Sequence, residues 1–291
     1  MGNYLIVSDV TADLHMDVIE RYDVKMIPMM FMLDDQEYQQ DADFKVFHEL
    51  DFYNKLRAGS TGSTSQITPY AYIEYFTPLL EAGHDILYIV FSSGLSNTYQ
   101  SSQIALQELK EKFPERKIYF IDSLAASAGE GLLVYYACLN REKGMTIEEN
   151  ATWIEENRLH IAHWVAVDDL HHLARGGRVS DATAIVGSAL SIKPILHVDD
   201  EGHLLNVAKA RGRKKSLNKL VEKMAQTAIN PKDQLIMISH ADALEDATYV
   251  ANKIREEMGV KEILISDIGP VIGSHAGPGT IALFFFSSTR S

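Results

Sequence analysis

A chain of 291 residues, 46% hydrophobic and 23% charged, can bury one large core or two ordinary domains. Its 40 acidic residues outnumber 27 basic ones, and the net charge of −13 excludes non-specific binding to nucleic acid, which requires a basic surface. The longest apolar run, residues 26–33, is far short of the roughly 20 residues of a membrane-spanning helix, so stable membrane insertion is not expected.

The first strand is expected at residues 4–7 with no basic segment ahead of an apolar one, so no secretory signal is expected. Asp9 and Asp13 follow it. Their simplest role is to cap the helix expected near residues 17–21, with magnesium ligation as the alternative. Met26, Met29, Met30 and Met32 form a soft apolar segment that reads either as a core strand or as the wall of an apolar tunnel. Residues 59–69, GSTGSTSQITP, are too polar and too punctuated for a strand, so a loop is expected. Within it Thr64, Ser65 and Gln66 offer hydroxyl and amide donors suited to a carboxylate.

The most informative stretch is DILYIVFSSGLSNTYQSS, residues 85–102. Its apolar run from 86 to 91 fits a strand buried on both faces of a parallel sheet. Ser92, Ser93, Gly94, Ser96 and Thr98 come next, and Ala105, Leu106, Leu109 and Phe113 then repeat at helical spacing. Hydroxyls therefore fall where the first amide N–H groups of a helix lack partners. Such a place attracts anions, and in open α/β sheets it lies in the crevice beyond the strand ends. The alternative is a plain strand–loop–helix join capped by Ser96 or Asn97.

A strand at 118–121 and a helix at 129–140 complete an alternation that implies a parallel sheet wrapped by helices. The lone cysteine, Cys138, sits among Leu132, Val134, Tyr135 and Leu139 and reads as a small core residue; a reduced, cytoplasmic setting is expected. Thr146 and Glu149 form a capping-box pattern that opens a helix reaching about residue 158. A new unit is expected from residue 166, giving domains 1–165 and 166–291.

In LARGGRVS, residues 173–180, two glycines let the backbone turn sharply beside Arg178, and Arg is the natural fork-like partner of a carboxylate or phosphate. Strands at 195–198 and 204–207 flank the turn sequence DDEG and predict an antiparallel hairpin, so the second half reads as α+β. Lys209, Arg211, Arg213, Lys214, Lys215 and Lys219 form a basic cluster, either a solvated helix face or a docking patch. Strands at 235–238 and 263–265 bracket a helix at 243–258, and a last strand is expected at 281–286. Between them GPVIGSHAGPGT, residues 269–280, predicts a rigid loop around Ser274 and His275. His160, His163, His171 and His172 lack a ligand framework, so no metal site is expected, and no cofactor either.

Taken in order, SDVTADL (8–14), STSQITP (63–69), SSGLSNTYQSS (92–102), DS (122–123), GGRVS (176–180), KPIL (193–196) and GPVIGSHAGPGT (269–280) resemble the DegV family of bacterial proteins across nearly the whole chain. The resemblance implies an α/β fold of the two-domain DegV-like (EDD) type: an N-terminal parallel sheet with flanking helices that holds lipid, and a C-terminal α+β domain closing over the head group. It implies one bound long-chain fatty acid, whose carboxylate is presented to a separate ATP-dependent fatty acid kinase subunit. The acyl phosphate made there feeds phospholipid synthesis. By that resemblance Thr64, Ser93 and His275 contact the carboxylate, supported by Ser65, Gln66, Ser92, Gly94, Arg178 and Ser274, and no residue is catalytic. Asn97 stands where the elbow usually has Gly, and Ile67 where TSQ usually continues with Pro. Neither departure removes a hydroxyl that binding needs.

The rival reading is an esterase or acyltransferase using Ser93 with His275, but no orienting acid and no GxSxG elbow accompany them. A phosphotransfer role suffers from the lack of GxxxxGK[ST].

Overall fold

The computed structural model describes residues 4–44, 47–168, 170–179 and 191–290. Ser180, which closes the GGRVS stretch, lies outside them. In chain order the elements are β1 (Tyr4–Asp9), α1 (Met16–Tyr22), β2 (Lys25–Ile27), β3 (Met29–Leu33), β4 (Gln36–Gln40), α2 (Glu49–Arg57), β5 (Gly62–Thr64), α3 (Pro69–Glu81), β6 (Asp85–Val90), α4 (Thr98–Lys112), β7 (Ile118–Asp122) and α5 (Ala128–Glu142). They continue with α6 (Ile147–Asn157), β8 (Ile161–Ala166), α7 (His171–Gly176), β9 (Ile192–Val198), β10 (Leu204–Arg211), α8 (Arg213–Thr227), β11 (Leu235–His240), α9 (Leu244–Met258), β12 (Glu262–Asp267), α10 (Pro270–Ala276) and β13 (Ile281–Phe286).

Three sheets organise these elements. The first is wholly parallel, in the order β2-β1-β6-β7. The chain leaves β1 toward one edge and β6 toward the other, so strand order reverses between them, and the crevice beyond their carboxyl ends is where ligands bind in such sheets. The second is a mixed six-stranded sheet in the order β10-β9-β8-β13-β11-β12, with only β11 and β12 parallel. A small antiparallel sheet, β4-β3-β5, covers one flank. The mixed α/β class and the β9–β10 hairpin follow the sequence pattern.

Helix α5 lies between the two large sheets. Ten of its residues are buried, Gly129 and Gly131 among them, and a side chain at either would collide with His163 or with the Ala12 carbonyl. One apolar cluster joins Ile6, Leu87 and Leu132 to Met237 and Phe284, so the core is continuous from one sheet to the other. Cys138 is buried in it, and burial pushes its thiol up to about 12, which suits a packing residue. Helix α6 opens with the expected capping box, Thr146 Oγ1 accepting from Glu149 N and Glu149 accepting from Thr146 N.

Several local expectations change. The 59–69 stretch contains a strand, because Gly62, Ser63 and Thr64 pair with Leu33, Met32 and Phe31; pairing to a strong apolar edge overrides a polar composition. The 269–280 stretch contains α10, with Pro270 at its first turn and Gly277 in positive φ just past its end. Asp13 does not cap α1; His15 does. β8 begins at Ile161 within the second sheet, so a division near residue 165 runs through a strand. Among the described residues no helix is long and apolar enough to cross a membrane.

Candidate functional site

Beyond the carboxyl ends of β1 and β6 lies a partly open cavity of about 260 Å³ between the two large sheets. Its walls are largely apolar: Met29, Phe91, Leu95, Val165, Val271, Ile272 and Phe284 contribute to them. Met29 is thus a cavity residue, whereas Met26 packs beside the core. At one end the cavity meets a more open and polar cleft lined by Ser93, Gly94, Gly177, Asp199 and His203. Leu95, Ser96, Asn97, Arg178 and Leu204 border both, so Arg178 stands at the passage between an apolar chamber and a polar vestibule.

The chamber's polar end is built by β5 and α10. Strand pairing carries Thr64 to the end of β5, and Gly62 lies so close to Ser274 that a side chain there would strike its hydroxyl. That closeness brings Thr64 Oγ1 within 2.8 Å of His275 Nε2. The other ring nitrogen, Nδ1, is buried without a partner, packed where Gly176 has no side chain. Burial, with the Arg178 charge adding to it, pushes His275 down to about 4, so the ring is neutral at pH 7. With Nε2 protonated, the ring donates to Thr64 and leaves the Thr64 hydroxyl free to donate onward to an anion.

Arg178 donates from Nε to the Leu95 carbonyl at 3.3 Å and from Nη1 to the Gly176 carbonyl. Among the described residues it bonds to these carbonyls and to no carboxylate, and burial lowers its pKa. A partly desolvated guanidinium whose bonds among the described residues go to neutral carbonyls is suited to an anionic ligand.

The elbow after β6 is held from three sides. Asp122 accepts from the Ser93 and Leu124 amides, and Ser92 Oγ donates to the Gly202 carbonyl at 2.8 Å while accepting from Gly94 N. Gly94 packs against Gly202 so tightly that any side chain would collide with backbone. Helix α4 is capped by Ser96 Oγ, which accepts from Thr98 N, and Asn97 makes no capping bond.

Of the residues expected from sequence, Thr64, Ser65, Gln66, Arg178 and His275 share the inner chamber, and Ser93 and Gly94 line the vestibule. Ser92 and Ser274 line neither. Ser92 latches the hairpin tip, and Ser274 donates to the Pro270 carbonyl within α10. Ser93 and His275 make no hydrogen bond to each other, since His275 Nε2 is bonded to Thr64, so no Ser–His pair is assembled. The sequence reading missed Thr11, Ser127 and His163, which also line the chamber. Thr11 bridges the buried carboxyl groups of Asp9 and Glu130, both pushed up by burial, while burial holds His163 well below its usual range. Among the described residues the one cluster of metal-type ligands, Asp199, Glu201 and His203, sits on the hairpin turn and not in the chamber.

The fold and cavity define a class: an α/β protein whose two large sheets flank a largely apolar chamber with a cationic and hydroxyl-rich mouth. The model of a family described as uncharacterised proteins of the DegV family matches residues 3–288, and the chain belongs to the DegV family. A DegV domain-containing protein of Clostridium perfringens is 45% identical over 290 residues, covering 100% of this chain and 99% of that one. The crystal structure of a DegV lipid-binding protein from Thermotoga maritima superimposes with a TM-score of 0.85 at 29% identity, covering 100% of each chain. A DegV family protein from Thermus thermophilus, described by its fatty acid binding, gives 0.87 at 28% identity, covering 98% of this chain and 99% of that one.

Proposed function

We propose that this protein binds one long-chain fatty acid, with the tail in the apolar chamber and the carboxylate held by Thr64, Ser93 and His275 beside Arg178. The observation that carries this reading is the neighbourhood of a largely apolar cavity and, at its mouth, a guanidinium that pairs with no carboxylate among the described residues. The fatty acid binding described for the Thermus relative supports it. In this reading the N-terminal part, residues 1–165, holds the lipid and residues 166–291 close over the head group, with β8 spanning the division. Protein purified from bacteria should carry about one acyl chain per polypeptide, because a dry apolar cavity is filled more readily by hydrocarbon than by water. Native mass spectrometry with solvent extraction checks this; an extract without acyl chains, and no thermal shift on adding palmitate, would sink the proposal.

Thr64→Ala and Ser93→Ala should each weaken binding by about 1.5 to 3 kcal/mol, the range for a hydrogen bond to a charged group. The double variant should lose more while remaining folded. Wild-type affinity in the double variant would place the carboxylate elsewhere.

We further propose that the chain has no catalysis of its own and presents the carboxylate, in the cytoplasm, to a separate ATP-dependent kinase subunit that makes acyl phosphate for phospholipid synthesis. Lys209, Arg211, Lys214 and Lys215 are exposed and form a locally basic face on an acidic protein, which suits an acidic partner. Arg213 is unsuitable for testing it, because it pairs with Asp246 at 2.7 Å and donates to the Gly279 carbonyl. Reversing Lys209, Arg211 and Lys215 to Glu should impair kinase-dependent turnover and leave palmitate binding intact; unchanged turnover removes this face from the proposal.

A further inference from the structure

Helix α10 lies late in the chain, yet its first turn is held by side chains from the first sixty residues. Tyr53 Oη donates to the Ile268 carbonyl at 2.6 Å, and the Gly269 amide donates to Asp13 Oδ1 at 2.9 Å. The Val271 amide donates to Gln40 Oε1 at 2.7 Å, while Gln40 Nε2 donates to the Val10 carbonyl at 3.2 Å. All three side chains are buried. Two glycines make the approach possible: a side chain at Gly269 would collide with the Gln40 amide, and one at Gly273 would press on the Tyr53 hydroxyl. Beyond this anchored turn α10 presents Val271, Ile272, His275 and Ala276 to the chamber. The helix packs on β3, β5 and α2 of the N-terminal half as well as on α7.

We infer that Asp13, Gln40 and Tyr53 are positioning residues that fix α10 to the N-terminal sheets, so that His275 meets Thr64 at a set distance. The carboxylate-binding pair therefore belongs mechanically to one body, although His275 and Thr64 are 211 residues apart in sequence. Arg178 and the hairpin tip bond to the elbow, at Leu95 and Ser92, and not to these anchors. A short helix of seven residues has little stability of its own, so its placement is set by these anchors and by packing. This inference rests on the fatty acid reading only where binding is the readout.

The test uses the full chain with Gln40→Ala, Tyr53→Phe and the conservative Asp13→Asn, which keeps an acceptor oxygen for Gly269. Gln40→Ala and Tyr53→Phe should each weaken palmitate binding about five- to tenfold, and Asp13→Asn should leave it near wild type. In a His275→Ala background the same losses should shrink to about twofold or less, because the anchors act through His275. In ligand-free protein the His275 ring nitrogen shifts should move, and amide exchange in α10 should quicken, in the two damaging variants. Equal losses with and without His275, or unmoved ring shifts and exchange, overturn the inference. If wild-type protein fails to bind palmitate, the fatty acid reading falls, and the ligand-free shifts and exchange still decide the anchoring.

Discussion

Shortening the ligand from sixteen carbons to twelve should cost about 3 kcal/mol of binding, roughly a two-hundredfold loss, at about 0.8 kcal/mol per buried methylene. In the proposed binding mode the head-group contacts at Thr64, His275 and Arg178 are common to both ligands and cancel from the comparison. What remains is hydrocarbon moved from water against Met29, Phe91, Val165 and Phe284. The same argument gives a protein-side partner experiment. Ala282, buried on β13 and facing the chamber, has no bulk; Phe there would fill space that the proposed binding mode gives to the tail. Ala282→Phe should therefore cut affinity for sixteen-carbon acids far more than for eight-carbon acids. Isothermal titration across a length series checks both, and an affinity indifferent to length would show that the tail lies outside this cavity.

Asp13→Asn should stabilise the protein at neutral and mildly alkaline pH. Burial pushes the Asp13 carboxyl up from 3.8 to about 8, against the opposing hydrogen bonds from Ser127 Oγ at 2.5 Å and Gly269 N at 2.9 Å. Between those values the folded protein keeps a proton that the unfolded chain releases. Asp13's contribution is therefore fully present below about pH 4 and is lost as pH rises through about 8. At pH 7 the penalty is about 4 kcal/mol, from roughly three units at 1.36 kcal/mol each. Asn carries no such proton, and its oxygen still accepts from Gly269. Urea unfolding at pH 5, 7 and 8.5 should show the variant gaining on the wild type as pH rises, and parallel profiles would refute the assignment. His275 works at the other end: its pKa is lowered to about 4, so its contribution is present above the unfolded value near 6.5 and is lost as pH falls.

Periodicity made most elements legible. The buried run before Ser92, the capping box at Thr146 and the hairpin around DDEG each follow from local rules, and the structure bears them out. The candidate site was legible where a motif carries its own chemistry, as with Thr64, Arg178 and His275, which line the cavity. It was not legible where a residue's task is set by a distant partner. Ser92 reads as a ligand hydroxyl but is consumed by Gly202, 110 residues away, and Ser274 is consumed inside α10. Thr11, Ser127 and His163 carry no pattern that marks them as cavity-lining; only the meeting of the two large sheets brings them together. β5 was missed because strand pairing to β3 supplies what its own composition lacks.

The place of α5 bears on how this molecule comes apart. A helix buried against β1 and β6 on one side and β8, β11 and β13 on the other leaves neither sheet with a complete hydrophobic face of its own. The two halves are then not separate foldons, and heat or denaturant should melt them in one transition with coincident probes. A gene cut near residue 160 yields two fragments that each expose half a core, so neither half is to be had by truncation.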